Sequence, residues 1–170
     1  KKQLVFEPGT AFQYGINHDV LAAVVEIISG QKFRDYVKEH IFDPLDMQDT
    51  FYHRDAETER RMAVQYNFIN DDGNGMSIVE QQGSDLSKCG GYLERTDGKV
   101  SHIFGEEYDS GGAGIVTSVN EYAKLSNALA NGGIGTTGER ILSSAAVNLM
   151  KKPQVSVEML GNYGWSQLRG

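Results

Sequence analysis

The chain has 170 residues, 39% of them hydrophobic, enough for a folded core. Its 16 basic and 23 acidic residues leave a formal charge of −7. That balance argues against nucleic acid and against an anionic membrane surface, since both need a basic patch.

A single cysteine, Cys89, closes no internal disulfide, and no apolar run reaches the length of a membrane span. The opening KKQLVFEPGT has no initiator Met and no signal-peptide h-region, so a processed chain or a piece of a longer one is expected. The compartment stays open.

The first element of interest is EPGTAFQYGINHDVLAAVVEIISG, residues 7–30. A Pro-Gly turn there delivers Tyr14 just ahead of a helix. Such an arrangement makes either a catalytic corner or an aromatic packed under an ordinary turn. Val20, Leu21, Val24, Val25, Ile27 and Ile28 carry a helical apolar stripe over 19–29. Asn17 or Asp19 is the expected N-cap, and Gly30 suits the residue that ends the helix.

A second helix is expected over 33–41, with Phe33, Tyr36, Val37 and Ile41 on one face and Pro44 stopping it. Leu45, Met47 and Phe51 are the anchors of the connection that follows. A short polar helical turn fits 55–62. VQYNFI, NDDGNG and MSIVE have the pattern of a β-hairpin. A second hairpin is expected around Thr96-Asp97-Gly98, pairing Tyr92-Leu93-Glu94 with 100–104.

Farther on, Ser118 and Glu121 have the spacing of a capping box at the start of a helix. Tyr122, Leu125, Leu129 and Ala130 form its stripe, and Asn131-Gly132-Gly133 ends it. A last helix spans 144–151, starting from a Ser cap and stopping before Pro153. The terminal NYGWSQLRG reads as the start of a strand. There is no internal repeat and no linker-like tract, so one domain is expected over 1–170.

Several short patterns invite a chemical assignment and fail a physical test. Ser29-Gly30-Gln31-Lys32 matches the Ser-x-x-Lys nucleophile motif. That motif needs the serine on the first turn of a helix, so that the lysine lies one turn on; here Ser29 closes a helix and Gly30 breaks it. Residues 70–75 resemble the start of a calcium loop, but the closing acid, Glu80, falls one residue early and no flanking helix is evident.

Gly111-Gly112-Ala113-Gly114 lacks the preceding strand and following acid of a dinucleotide site, which leaves a tight turn packed against a neighbour. His18, His40, His53 and His102 show no metal-ligand spacing and read as surface or capping residues. Cys89 has no partner for chemistry. No metal and no cofactor are expected.

The order of segments carries more information than any of these patterns. PGTAFQYGINHDVLAAVVEIISGQKFRDYVKEHIFDPLDMQDTFYH resembles the middle of the serine β-lactamase-related family. That family includes class C β-lactamases, D-alanyl-D-alanine carboxypeptidases and β-lactamase-fold carboxylesterases. It reads Pro-Gly-x-x-Phe-x-Tyr, a helix ending Ser-Gly, a second helix, and then Pro-Leu-Gly-Met-x-x-Thr, which stands here at residues 44–50. RRMAVQYN, SGGAGIVTSVNEYAKLSNALANGG, GERILSSAAVNLMKKPQ and YGW continue the match, so that it extends from Phe6 to Trp165.

The resemblance implies an α+β, mainly helical fold: the central helical region of the serine β-lactamase/penicillin-binding-protein-like fold without its flanking strands. It implies that Tyr14 belongs to the catalytic set, facing the serine and lysine of Ser-x-x-Lys and helping to move the nucleophile's proton. Substrate-binding candidates are Asn17 and the turn at Gly111 and Gly112.

Two departures matter. Ile16 stands where many lactamases and peptidases place the Asn of Tyr-x-Asn, which is closer to the esterase-like branch. Asp46 stands where the family has Gly. The family's Ser-x-x-Lys lies before the tyrosine and its Lys-Thr-Gly or His-x-Gly strand after Trp165, and this chain contains neither.

The expectation is therefore a central fragment of a serine hydrolase that forms an acyl-enzyme on a β-lactam, a D-Ala peptide or an ester, the chain alone being inactive. The alternative is a non-catalytic binding or interaction module derived from the same fold. Apolar ends at Leu4, Val5, Phe6, Tyr163 and Trp165 are expected to promote self-association.

Overall fold

The computed structural model describes residues 4–70, 90–95, 108–161 and 164–165. Two compact units are distinguished, residues 1–53 with 104–170, and residues 54–103. The class is α+β, helices predominating.

In the first unit β1 (Gln13–Tyr14) leads into α1 (Asn17–Ser29). Gly30 closes α1 in the left-handed conformation, φ 73°, its N–H donating to Glu26 O, as a glycine C-terminus should. The N-terminus differs from expectation. Ile16 is the capping position and offers no side-chain acceptor. Neither Asn17 nor Asp19 caps, because both already lie inside the first helical turn.

α2 (Phe33–Val37) widens at once into a π-helical turn, Lys38–Phe42, marked by the Asp43 N–H reaching Lys38 O at 2.9 Å. The expected helix over 33–41 is thus present but is not uniform. Val37 and Phe42 point inward from it. Together with Leu45, Met47 and Ala128 they form the buried core, on which Phe33, Ile41, Tyr52, Leu125 and Ile141 pack.

Ala128 comes from α4 (Val119–Ala130). Ser118 caps it, accepting from the Glu121 N–H at 3.3 Å. Glu121 does not close a box: its carboxylate accepts from the Asp49 N–H at 3.4 Å and pairs with Lys124 at 2.9 Å. The inward face is Glu121, Leu125 and Ala128, whereas Tyr122 and Ala130 are exposed. α5 (Ser144–Met150) starts at the Ser143 cap, and α6 (Val157–Gly161) was not foreseen from the sequence. β4 (Gly164–Trp165) pairs in parallel with β1, Gln13 opposite Gly164 and Tyr14 opposite Trp165.

The second unit holds α3 (Ala56–Arg61), with a complete capping box between Asp55 and Thr58, and an antiparallel ladder. β2 (Tyr66–Asn70) pairs with β3 (Gly91–Arg95), placing Phe68 opposite Leu93 and Ile69 opposite Tyr92. One strand from each of the two expected hairpins is present, and these two strands pair with each other. The other halves of those hairpins, residues 76–80 and 100–104, lie outside the described residues, as do Cys89, His102 and most of the candidate calcium loop.

The apolar stripe of α1 does not form a core. Ala22 is its one buried residue, whereas Val20, Leu21 and Val24 are exposed and Ile27 and Ile28 are each 81% exposed. A helix this apolar over so much of its surface is a helix built to be covered.

Asp46, at the family's glycine position, is the one non-glycine with positive φ among the described residues, at 55°. Aspartate tolerates that conformation better than most residues, but it still carries a Cβ penalty. Its ion pair with Lys124, 3.6 Å, is solvent-exposed and worth little. Asp46→Gly should therefore leave stability unchanged or raise it by up to about 1 kcal/mol, while Asp46→Ala lowers it by about 1 kcal/mol. Urea midpoints of the three proteins decide this.

Candidate functional site

Tyr14 ends the two-residue strand β1 and is 52% exposed. Gly15 and Ile16 connect it to α1, whose first residue, Asn17, is also exposed. The start of α1 is held from outside by a distant segment. Asp19 Oδ1 accepts from Ser110 Oγ at 2.7 Å and from the Gly111 N–H at 3.1 Å. The Tyr108 hydroxyl also bonds to this carboxylate.

Ser110 is buried and works in both directions. While donating to Asp19 it accepts from the N–H groups of Gly112 at 3.2 Å and Ala113 at 3.1 Å, which folds the glycine turn around its own oxygen. The turn then lies directly on α1. A Cβ on Gly111 would stand 2.2 Å from the His18 carbonyl oxygen and 3.1 Å from Ala22 Cβ. No side chain fits there, so residue 111 has to be glycine for the turn to approach. Two of the candidate regions, the α1 start with Asn17 and the Gly111-Gly112 turn, are thereby brought together, four residues along from Tyr14.

Behind the turn lies a second cluster. Asp109 is buried and pairs with Nε2 of His53 at 2.6 Å and with the backbone N–H of Arg34 at 3.0 Å. His53, expected as a surface or capping residue, is instead the half-buried partner of a buried acid. The missed signal was an Asp immediately ahead of the Ser-Gly-Gly turn, which has no local partner in sequence.

Tyr52 packs edge-on against Phe33, ring centroids 5.9 Å apart. Burial, with Asp109 and then Asp19 adding negative charge nearby, pushes its phenol up to about 12. It remains a neutral packing residue at any ordinary pH.

Ser29 is not a nucleophile in this geometry. Its hydroxyl donates to Val25 O at 2.7 Å and accepts from the Gln31 N–H at 3.2 Å, bonds of a residue finishing a helix. His40 packs against Tyr36 with ring centroids 4.3 Å apart and planes tilted by 50°. Among the described residues no group of three or more His, Cys, Asp or Glu is placed to hold a metal ion, and no helix is long and apolar enough to cross a membrane.

The family model described as Beta-lactamase matches residues 1–167. The chain belongs to the Beta-lactamase family. Esterase EstB of Burkholderia gladioli is 33% identical over 127 residues, 74% of this chain and 31% of that protein. The lovastatin esterase of Penicillium rubens is 32% identical over 77 residues, 45% of this chain and 19% of its own length.

Among solved structures, the LovD6 mutant of simvastatin synthase from Aspergillus terreus aligns with a TM-score of 0.68 at 23% identity, covering 93% of this chain and 33% of that one. The octameric penicillin-binding protein homologue of Pyrococcus abyssi gives 0.60 at 23% identity, covering 90% and 28%. At these identities the structural likenesses show the fold. The chain spans about a third of the length of EstB.

The geometry around Asp19 has a pH signature. The Ser110 hydroxyl first, then the Tyr108 hydroxyl and the Gly111 and Gly112 amides, stabilise the carboxylate and hold its pKa below the ordinary 3.8, outweighing partial desolvation. A depressed folded-state pKa adds stability that is fully present above 3.8 and is lost as pH falls through the lowered value. Asp19→Asn should therefore be less stable than the native chain at neutral pH. The gap between their thermal midpoints should narrow as the pH is lowered through 3.8 and beyond.

Proposed function

We propose that this chain is the tyrosine-bearing central part, over 1–170, of a β-lactamase-fold serine hydrolase or acyltransferase acting on an ester. Tyr14 is its proton-transfer residue. One observation carries the assignment: a half-exposed phenol sits immediately ahead of a helix start that Asp19, Ser110 and Gly111 tie to a glycine turn. A packing tyrosine needs neither the exposure nor so fixed a neighbourhood.

The esters are favoured over β-lactams and D-Ala peptides for two reasons. Two relatives above 30% identity are named as esterases. Ile16 occupies the place where an amide-orienting Asn would be expected.

In this mechanism a serine supplied by flanking sequence attacks the ester carbonyl. Its proton passes by way of Tyr14 to the departing alcohol as the acyl C–O bond breaks. Water or a second alcohol then takes the acyl group from the serine. In this reading Asn17 and the Gly111-Gly112 backbone line the substrate side of the same helix start.

The chain alone should neither hydrolyse nitrophenyl esters or nitrocefin nor label with a fluorescent penicillin or a fluorophosphonate, because Ser29 is committed to Val25. Covalent labelling lost on Ser29→Ala would overturn this. In the longer enzyme that carries the segment, Tyr14→Phe should lower turnover by about 10²–10⁴-fold with the fold intact. Near-normal turnover in that variant, or the lack of any upstream Ser-x-x-Lys, would return the chain to the alternative of a non-catalytic binding module.

The exposed face of α1 and the apolar residues Leu4 and Val5, 69% and 83% exposed, give the isolated chain a reason to self-associate. Sedimentation should show concentration-dependent association and a naphthalenesulfonate dye should bind. A clean monomer without dye binding would mean that this surface is covered within the chain.

A further inference from the structure

Asp109 has no task in the acyl-transfer scheme, yet it is the most completely buried acid among the described residues, its side chain 2% exposed. A buried carboxylate costs several kcal/mol unless it is paired and hydrogen-bonded. Here the pairing is complete. Oδ1 lies 2.6 Å from His53 Nε2. Oδ2 accepts the Arg34 backbone N–H at 3.0 Å and lies 3.5 Å from Arg34 Nε. The partners come from two separate places, the first turn of α2 and the segment that follows the Phe51–Val116 bridge.

A turn that had only to reverse the chain would need no such acid. What Asp109 adds is a fixed point one residue before Ser110. Ser110 is itself buried and bonds to Asp19, while Gly111 rests on the His18 carbonyl. Two consecutive residues thus tie the turn to different elements, Asp109 to α2 and His53, Ser110 to α1. If the first tie is released, the second has no fixed base.

We infer that Asp109 is a positioning residue: held by Arg34 and His53, it fixes the Ser110–Gly112 turn against α1 and so sets where the Tyr14–Asn17 corner stands relative to the reacting ester. The inference rests on Tyr14 being the proton-transfer residue. It concerns geometry and not substrate contact, so its loss should slow the chemical step more than it weakens binding. Small misplacements at a distance from the reacting atoms lower rates by up to about 100-fold.

The test uses the longer enzyme carrying this segment, with p-nitrophenyl butyrate as substrate and kcat expressed per active site titrated by a fluorophosphonate. Asp109→Asn keeps the shape but replaces an acceptor by an amide that faces the donors of His53 and Arg34. It should lower kcat per site by about 10- to 100-fold with KM changed by less than about threefold.

His53, at the rim of the cluster, supplies the second pair of variants. His53→Ala should lower kcat per site in the same way. His53→Gln, which keeps a donor facing Asp109, should recover most of that loss. If Asp109→Asn gives no folded protein, the His53 pair decides.

A purely structural Asp109 would give lower melting temperatures with wild-type kcat per titrated site in Asp109→Asn, and equal kcat in His53→Ala and His53→Gln; that result overturns the inference. Tyr14→Phe run alongside separates the two failures. If it too keeps wild-type turnover, the assignment of Tyr14 falls and the role of Asp109 falls with it. If it loses turnover while the Asp109 and His53 variants keep theirs, only the positioning role falls.

Discussion

The carboxylate of Asp19 joins parts of the chain 91 residues apart. It lies in the first turn of α1, where a negative charge is favoured by the helix dipole and by amides that have no intrahelical partner. It turns that charge outward to Ser110, Gly111 and Tyr108 and not back onto its own helix. Lying inside the first turn and not at the cap position, this acid is left to hold the glycine turn.

What the turn can do follows from what it lacks. With a Cβ at residue 111 the His18 carbonyl would block the approach, and Asp19 would no longer reach both the Ser110 hydroxyl and the Gly111 amide. Ser110 in turn accepts from two successive amides, so the turn is closed by a single buried oxygen. The Asp19 carboxylate, the Ser110 hydroxyl and the amides of Gly111, Gly112 and Ala113 all have partners in place. A fixed geometry of that kind suits the proposed proton transfer.

The sequence was legible where patterns are local. Gly30 ends its helix, Ser118 and Ser143 cap theirs, and Leu45 and Met47 are buried as their place in the connection predicts. It was illegible where a partner lies far along the chain. β2 and β3 each carry the alternation of a strand, and alternation alone does not say that Phe68 will stand opposite Leu93, 25 residues on. His53 and Asp109 are 56 residues apart and neither has an unusual neighbour, so nothing local marks them as a pair.

The stripe on α1 shows the opposite case, a correct pattern with an unexpected outcome. Its periodicity predicts a helix, which forms, and a buried face, which among the described residues is confined to Ala22. Tyr14 was singled out by family resemblance. Its exposure and its place before α1 agree with the functional role proposed for it.

The pairing of β1 with β4 bears on the same question. Only two residues of each strand pair, in parallel, with register Gln13 to Gly164 and Tyr14 to Trp165. So short a ladder is not stable alone, and parallel strands occur almost entirely in sheets covered on both faces. It needs neighbours beyond the described residues, just as the apolar surface of α1 needs a cover. Both demands arise beside Tyr14, since β1 contains it and α1 starts three residues later. The least self-sufficient part of this fold is therefore the part that carries the proposed chemistry. A site completed by further strands and a further apolar helix surface would close over Tyr14 from the side that now faces solvent. That would exclude water where an acyl-enzyme has to be protected until its acceptor arrives.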